Sequence, residues 1–341
     1  MAKVIRNGIL AGGNWIIDQV KMVDVYPTEE RLANILSENA SNGGAPYNVL
    51  KALHIMEVAF PLEGVGVLGD DERGQQILEE CQGRGINTDQ LKKLKGVKTS
   101  YTDVMTVTST GRRTFFHCRG SNALLDESHF DFSRSAAKFF HLGYLLLLDK
   151  LDTVGADGLT GAARLLRKAK EAGFVTSADI VSEQSERYKN IVPASLSFID
   201  ILFVNEFEAK MLADTEIFDK AGNLSLSRGY AVAEKILAMG VLGWVVVHFP
   251  RGAIAVSKAG ERIVQHGVHL PPEKIKGTVG AGDAFAAGVL AGLHEEWGMA
   301  KSLELGVNVA AASLMDTTSS GGIVSWQQCM EIGSVYGYGN R

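Results

Sequence analysis

The chain has 341 residues, 46% of them hydrophobic and 21% charged, enough for one large α/β domain or two smaller ones with a sizeable core. Its net charge of −5 gives no basic footprint for nucleic acid or an acidic membrane, so an anionic ligand must be met by local donors. Cys81, Cys118 and Cys329 are too far apart for a zinc pattern and odd in number; with no signal-like start and no run of about 18 apolar residues, a cytoplasmic protein without a membrane partner is expected.

Ile5–Ala11, ending at Gly12-Gly13, predicts a first strand that delivers Asn14 and Asp18 beyond its end. An amide and a carboxylate there can grip polyol hydroxyls by paired hydrogen bonds, or can simply cap the loop. Gln19–Asn39 alternates weakly and contains Pro27, predicting irregular or edge strands. Asn42-Gly43-Gly44-Ala45-Pro46-Tyr47-Asn48 then opens a helical apolar pattern through Val49, Leu50, Leu53 and Met56. The glycine pair permits close backbone approach and Asn48 would project towards the same cleft, although such turns also occur without function. Val65–Gly74 reads as strand, turn and acidic helix start. Thr99–Thr108 and Arg112–Cys118, separated by Ser109-Thr110-Gly111, read as a hairpin. Arg119 follows it and could meet a substrate oxygen or acid group, or a surface carboxylate.

From Phe139 the order is strand, helix, strand, helix. Phe139–Leu148, Phe174–Ile180 (with Asp179) and Ile199–Val204 are apolar runs, and Leu159–Ala172 is an amphipathic helix. Apolar strands alternating with helices predict a parallel sheet covered on both faces, with sites beyond the carboxyl ends of its strands. Asn205 and Glu208 stand at such an end, three apart at a helix start, and can face one cleft or form a cap. Trp244–Phe249 and Ala253–Ser257 flank Pro250-Arg251-Gly252 as a second hairpin. His266 and His269 are spaced i, i+3, but Gly267 and two following prolines argue against a helical metal pair. Leu303–Leu314 predicts a helix, and Gly321-Gly322-Ile323 a glycine turn.

Gly277–Asp283, Gly-Thr-Val-Gly-Ala-Gly-Asp, precedes a helix rich in small residues. A glycine turn opening a helix points unpaired N–H groups at one spot, where the helix dipole adds positive potential. With Asp283 on the first turn as a base, this is equipment for phosphoryl transfer to a hydroxyl. A plain helix cap is the alternative.

Gly280-Ala281-Gly282-Asp283-Ala284-Phe285 resembles the carboxy-terminal signature of the ribokinase-like, or phosphofructokinase-B-type, carbohydrate kinases. Gly43-Gly44 with Asn48 is similar to that family's Gly-Gly-x-x-x-Asn, its Gly-Gly-Ala-Pro form being fructokinase-like. The Asn14–Asp18 spacing is nearer the adenosine-kinase pattern. Gly69–Gly74 matches Gly-x-Asp-x-x-Gly and Asn205–Glu208 matches Asn-x-x-Glu, so the resemblance runs in order from Asn14 to about Ile323.

The resemblance implies an α/β fold: a ribokinase-like, doubly wound, mostly parallel sheet flanked by helices with a small β-strand lid. It implies one domain over 1–341, with lid strands inserted at about 15–40 and 98–120. It implies an ATP-dependent sugar kinase in which Asp283 is the base and Gly280, Ala281 and Gly282 supply N–H groups to the transferring phosphoryl. Asn14, Asp18, Gly43, Gly44, Asn48 and Arg119 would hold the sugar. Asn205, Glu208, His248, Gly252 and Asn308 would hold ATP, and Glu208 a Mg²⁺ through water. A homodimer through the lid strands is a further expectation. The chain departs from the pattern at Gly277, where the family has Asp, and at His248 and Pro250, where it has Thr and Gly. Two alternatives remain: a nucleoside kinase with a purine slot from Trp15, Tyr47 and Phe116, and an inactive relative that binds sugar or a protein partner.

Overall fold

A computed structural model describes residues 5–219 and 222–339. In chain order the first elements are β1 (Ile9–Gly13), β2 (Ile16–Val23), β3 (Ile35–Gly43), α1 (Ala45–Ile55), β4 (Leu62–Gly69), α2 (Glu72–Gly83), β5 (Asn87–Leu94), β6 (Tyr101–Val107) and β7 (Arg113–Cys118). Next come β8 (Phe139–Leu145), α3 (Gly161–Glu171), β9 (Val175–Ile180), α4 (Arg187–Asn190), α5 (Pro193–Leu196), β10 (Ile201–Asn205), α6 (Glu206–Ala213) and α7 (Leu226–Ala238). The last are β11 (Trp244–Phe249), β12 (Gly252–Ser257), β13 (Arg262–His266), α8 (Ala281–His294), α9 (Met299–Leu314) and α10 (Trp326–Tyr336).

Among the described residues the main sheet has nine strands in the order β13-β12-β11-β10-β9-β8-β1-β4-β5. From β5 to β11 neighbours run parallel, and β12 and β13 are added antiparallel. Successive side chains leave a strand on opposite faces, and here both faces are apolar. Leu202 and Val204 join one core while Ile201 and Phe203 join the other; Val245 and Val247 are divided in the same way from Val246. Residues of α3, α6 and α7 close the first core, and those of α1, α2, α8 and α9 the second. That double burial is why these strands read as continuous apolar runs.

The helices over the second core need small residues. A Cβ on Gly288 would lie 2.8 Å from the Cα of Gly306, and one on Gly306 would lie 2.7 Å from a methyl of Val289. Glycine at both positions lets α8 and α9 approach backbone to backbone, which sets where the start of α8 falls.

A second sheet of four strands, β3-β2-β6-β7, stands at the carboxyl-end rim. Its β6–β7 pair is the hairpin expected between Thr99 and Cys118. The reading of Gln19–Asn39 as irregular or edge strands needs correction. Of the two strands from that stretch β3 is an edge, whereas β2 lies inside, antiparallel to β3 and parallel to β6. Its partner β6 is some eighty residues away, so nothing in β2's own composition announced the pairing. The sheet is tied to the body at its root: Asp71, the N-cap of α2, accepts from Gly74 N, Thr99 N and Thr99 Oγ1. Asn122 holds Trp15 through both backbone groups, and Trp15 Nε1 donates to Val65 O at 2.9 Å.

Candidate active site

The ends of β1, β8, β9, β10 and β11 open on one rim, because register sets Gly13 beside Gly143 and Asn205 beside His248. Above it lies a cavity of about 660 Å³, roofed by Ile16, Asp18, Thr102, Arg113, Phe115 and His117 of the small sheet. A second cavity of about 380 Å³ adjoins it and shares Asn205, His248, Thr278, Ala281 and Gly282.

Asp283 sits in the first turn of α8, 4% exposed. Its Oδ2 accepts from Asn48 Nδ2 at 2.8 Å and its Oδ1 from the Tyr144 hydroxyl at 2.6 Å. Ser319 Oγ donates to Asn48 Oδ1, which fixes the amide with its NH₂ towards the carboxylate. Gly280 adopts the left-handed conformation (φ 74°), a turn that suits glycine. No side chain caps it, so the N–H groups of Ala281, Gly282 and Asp283 at the helix start lack an intrahelical acceptor. They and the dipole of a 14-residue helix face the wall common to both cavities.

Burial dominates the electrostatics. It pushes Asp283 up to about 6, against the two hydrogen bonds that favour its anion. Burial, then the charge of Asp283, pushes Asp18 up to about 7. Burial raises Asp179 well above the carboxylate range, with Asp283 and Glu208 adding to it. Glu208, 3% exposed, rises to about 7 by burial, opposed by hydrogen bonds from Ser182 Oγ and Asn205 N. Four carboxylates thus crowd one cavity that also carries an uncapped helix start. Such a set calls for a cation and for donor-rich ligands.

The end of the cavity beside β1 contains the clearest unmet demand. Asn14 is fully buried and neither its Oδ1 nor its Nδ2 has a partner; the residue lines the cavity beside Gly44 and Asp18. Gly43 does not line the cavity. A Cβ there would strike the Asp18 carboxylate, so its role is to make room for that group. Gly44 begins α1 with φ 91°, and a Cβ on it would meet Asn14's backbone. Asn205 and Glu208 form a reciprocal cap on α6, so the cap reading holds, and both also line the cavity.

The described residues carry no cluster of three metal-ligating side chains and no helix long and apolar enough to cross a membrane. A family model, the pfkB family carbohydrate kinases, matches residues 13–326. The chain belongs to the pfkB family of carbohydrate kinases. It is a sugar kinase by family, with the ribokinase-like α/β fold. It is 27% identical over 285 residues to a probable chloroplastic fructokinase-6 of Arabidopsis thaliana, covering 81% of this chain and 68% of that one. It is also 27% identical over 297 residues to an ATP-dependent ribose-1-phosphate kinase of Halopiger xanaduensis, covering 87% and 88%. The solved Arabidopsis thaliana ribokinase with ribose and ATP superposes with a TM-score of 0.79 at 19% identity, over 96% of this chain and 98% of that one.

Against the pfkB pattern, some expected residues lie elsewhere. Arg119, expected at the substrate, instead pairs with Asp149 at 2.9 Å and lines neither cavity. Asn308, expected near adenine, is turned away. It donates to Glu304 O and the Tyr338 hydroxyl and accepts from Gly333 N, joining α9 to α10. Beside the second cavity stand Val307, Ala310 and Ala311 of the same helix instead. His248 and Gly252 do line that cavity. His248, held neutral with a pKa near 4 by burial, packs at 5.2 Å on the Phe285 ring and faces Gly282. At Gly277 a Cβ would lie 2.8 Å from Asp316 O, so an Asp has no room without a shift of that loop. Trp15 and Tyr47 are fully buried and Phe116 is exposed; none lines the larger cavity. Sequence reasoning missed Tyr144, Asp179 as a cavity residue, and Arg113. A Tyr and an Asp at the ends of apolar strands were the available signals for the first two.

Proposed function

We propose that the protein transfers the γ-phosphoryl group of ATP to a hydroxyl of a small sugar or sugar derivative. The observation that carries this reading is Asp283, held between Asn48 and Tyr144 at the open N-terminus of α8. The acceptor hydroxyl gives its proton to Asp283 as its oxygen bonds to the γ-phosphorus and the bond to the β-phosphate oxygen breaks, releasing ADP. N–H groups of Ala281 and Gly282, presented by the turn at Gly280, stabilise the charge on the transferring phosphoryl. Asn14, Asp18, Gly44 and Asn48 hold the acceptor. Asn14's unpaired amide fits a polyol, which offers donors and acceptors on adjacent carbons.

The second cavity fits the nucleotide, with apolar walls at Val268, Ile275 and Leu314 for a base and the helix start for phosphates. A divalent cation fits the oxygen donors at Glu208 and Asp179, hard ligands in a site too anionic to stand alone. Mg²⁺ held there, through water on Glu208, would neutralise phosphate charge. The small sheet acts as a lid that excludes water from the phosphoryl group. Its edge strand β3 exposes Ile35 and Leu36, which supports pairing of two lids in a homodimer. The three cysteines are free, which fits a cytoplasmic location.

The test is ADP release from Mg·ATP with a panel of sugars, sugar phosphates, sugar acids and nucleosides. Acceptor-dependent ADP with a sugar-class compound is the expected outcome. ADP release with nucleosides alone, or with no acceptor in the panel, overturns the assignment. Relatives at the same identity are named a fructokinase and a ribose-1-phosphate kinase, so membership of the family leaves the acceptor open.

A further inference from the structure

Arg113 is the one lysine or arginine among the described residues that line the acceptor cavity. It stands at the start of β7 on the face shared with Phe115 and His117, since alternate residues of a strand point the same way. Neighbouring cations are engaged: Lys21 of the same sheet pairs with Asp103, Arg119 beyond the end of β7 pairs with Asp149, and the guanidinium of Arg73 on α2 lies 4.1 Å from the centre of the Tyr101 ring. The Arg113 side chain has no hydrogen bond, ion pair or ring contact with any described residue. It is half-buried, so part of its hydration is already lost. The cavity it enters holds Asp18, Asp179, Asp283 and Glu208, and it pairs with none of them.

Its position is set by register. Asp18 stands opposite Thr102, and Thr102 opposite His117, in the row of the roof nearest Asp283. Arg113 stands opposite Thr106, four residues further along the same strands, roughly 13 Å at the usual rise. Thr106 itself is buried with an unpartnered hydroxyl, and the His117 ring has an unpartnered Nε2. The roof therefore carries unmet hydrogen-bonding capacity at His117 together with one unpaired guanidinium at the far end.

We infer that the acceptor is anionic, a sugar acid or a sugar phosphate, and that Arg113 binds its carboxylate or phosphate at the end remote from the hydroxyl facing Asp283. Carboxylate and phosphate each present a pair of oxygens that the planar guanidinium fork matches. A neutral sugar would leave this cation unpaired under a closed lid, where an unmet charge is costly. An anionic acceptor also needs a counter-charge to enter a cavity with four carboxylates. The inference rests on the kinase reading for what occupies the cavity.

Two measurements on the full-length protein test it separately from that reading. Calorimetry without ATP compares free pentoses and hexoses with their phosphate monoesters and with the matching aldonic and keto-aldonic acids, for wild type, Arg113→Gln and Arg113→Lys. One of the anionic series should bind at least about tenfold more tightly than its neutral counterpart, and which series does so tells carboxylate from phosphate. Arg113→Gln should abolish the preference and Arg113→Lys keep part of it, while the KM for ATP stays within about twofold. Neutral sugars binding as well as the anions would overturn the inference, as would a preference that survives in Arg113→Gln or a substitution that raises the KM for ATP alone. Arg113-dependent anion binding with no ADP formed would sustain the anion site and sink the kinase assignment. Neutral sugars as the best-phosphorylated acceptors would do the reverse.

Discussion

Asp283 has two hydrogen-bond partners, and substitution can separate base strength from base identity. Asp283→Asn retains the shape but cannot take the hydroxyl proton. Its kcat is expected to fall roughly 10²–10⁴-fold or more with ATP binding largely intact; a variant retaining more than about half of the turnover would reduce Asp283 to a helix cap. Tyr144→Phe should act on pH dependence. The Tyr144 hydroxyl holds down a pKa that burial has pushed up to about 6. Activity requires the ionised carboxylate, so kcat/KM declines as pH falls through that value. Without the hydroxyl the anion loses support, and the acid limb should move upward by about one unit. An unmoved limb would mean that a different group titrates there.

At the scale of elements, the start of α8 is an open donor cradle with His248 3.2 Å from the place where a Gly282 Cβ would lie. Gly282→Val should therefore cripple turnover as severely as loss of the base, although it removes no functional group, and should weaken ATP binding while the protein remains folded. Normal activity in a folded variant would argue against phosphate contact at this turn. The small sheet allows a second measurement, by hydrogen exchange. If it closes on the acceptor, Val104–Val107 and Phe115–Cys118 should exchange more slowly with acceptor present but not with ATP alone. Equal protection in both conditions would mark a fixed sheet. These elements differ in how far the sequence announced them. The turn at Gly280 and the pair Asn205 and Glu208 were legible because local chemistry dictates them. Tyr144 and Arg113 were not, because strand order is what brings β8 beside β1 and sets β7 over the cavity. Asn308 and Arg119 matched by position in the chain, yet their side chains found structural partners that spacing could not reveal.

Over the whole molecule, the crowded carboxylates make function and stability opposed. Asp18 is raised from 3.8 to about 7 in the fold, so the native state binds the proton more tightly than the unfolded chain. The stability linked to that proton is present at low pH and lost as pH rises through about 7. Asp18→Asn should accordingly raise the Tm of the ligand-free protein at pH 8, by of the order of a few degrees, and much less at pH 5, while impairing acceptor binding. An equal effect at both pH values would show that Asp18 is not destabilised as an anion. A last consequence concerns synthesis and refolding. The hydrogen bond from Asn48 to Asp283 joins residues 235 apart, and that from Tyr144 to Asp283 residues 139 apart. Closing such loops is entropically slow, and a nascent chain emerges from its amino terminus. The cavity residues Asn14, Asp18 and Asn48 are therefore made long before Asp283, which completes the site. A chain interrupted before residue 281 has every strand of both sheets and no Asp283, and recovery of activity should trail recovery of secondary structure when the denatured protein is diluted into buffer.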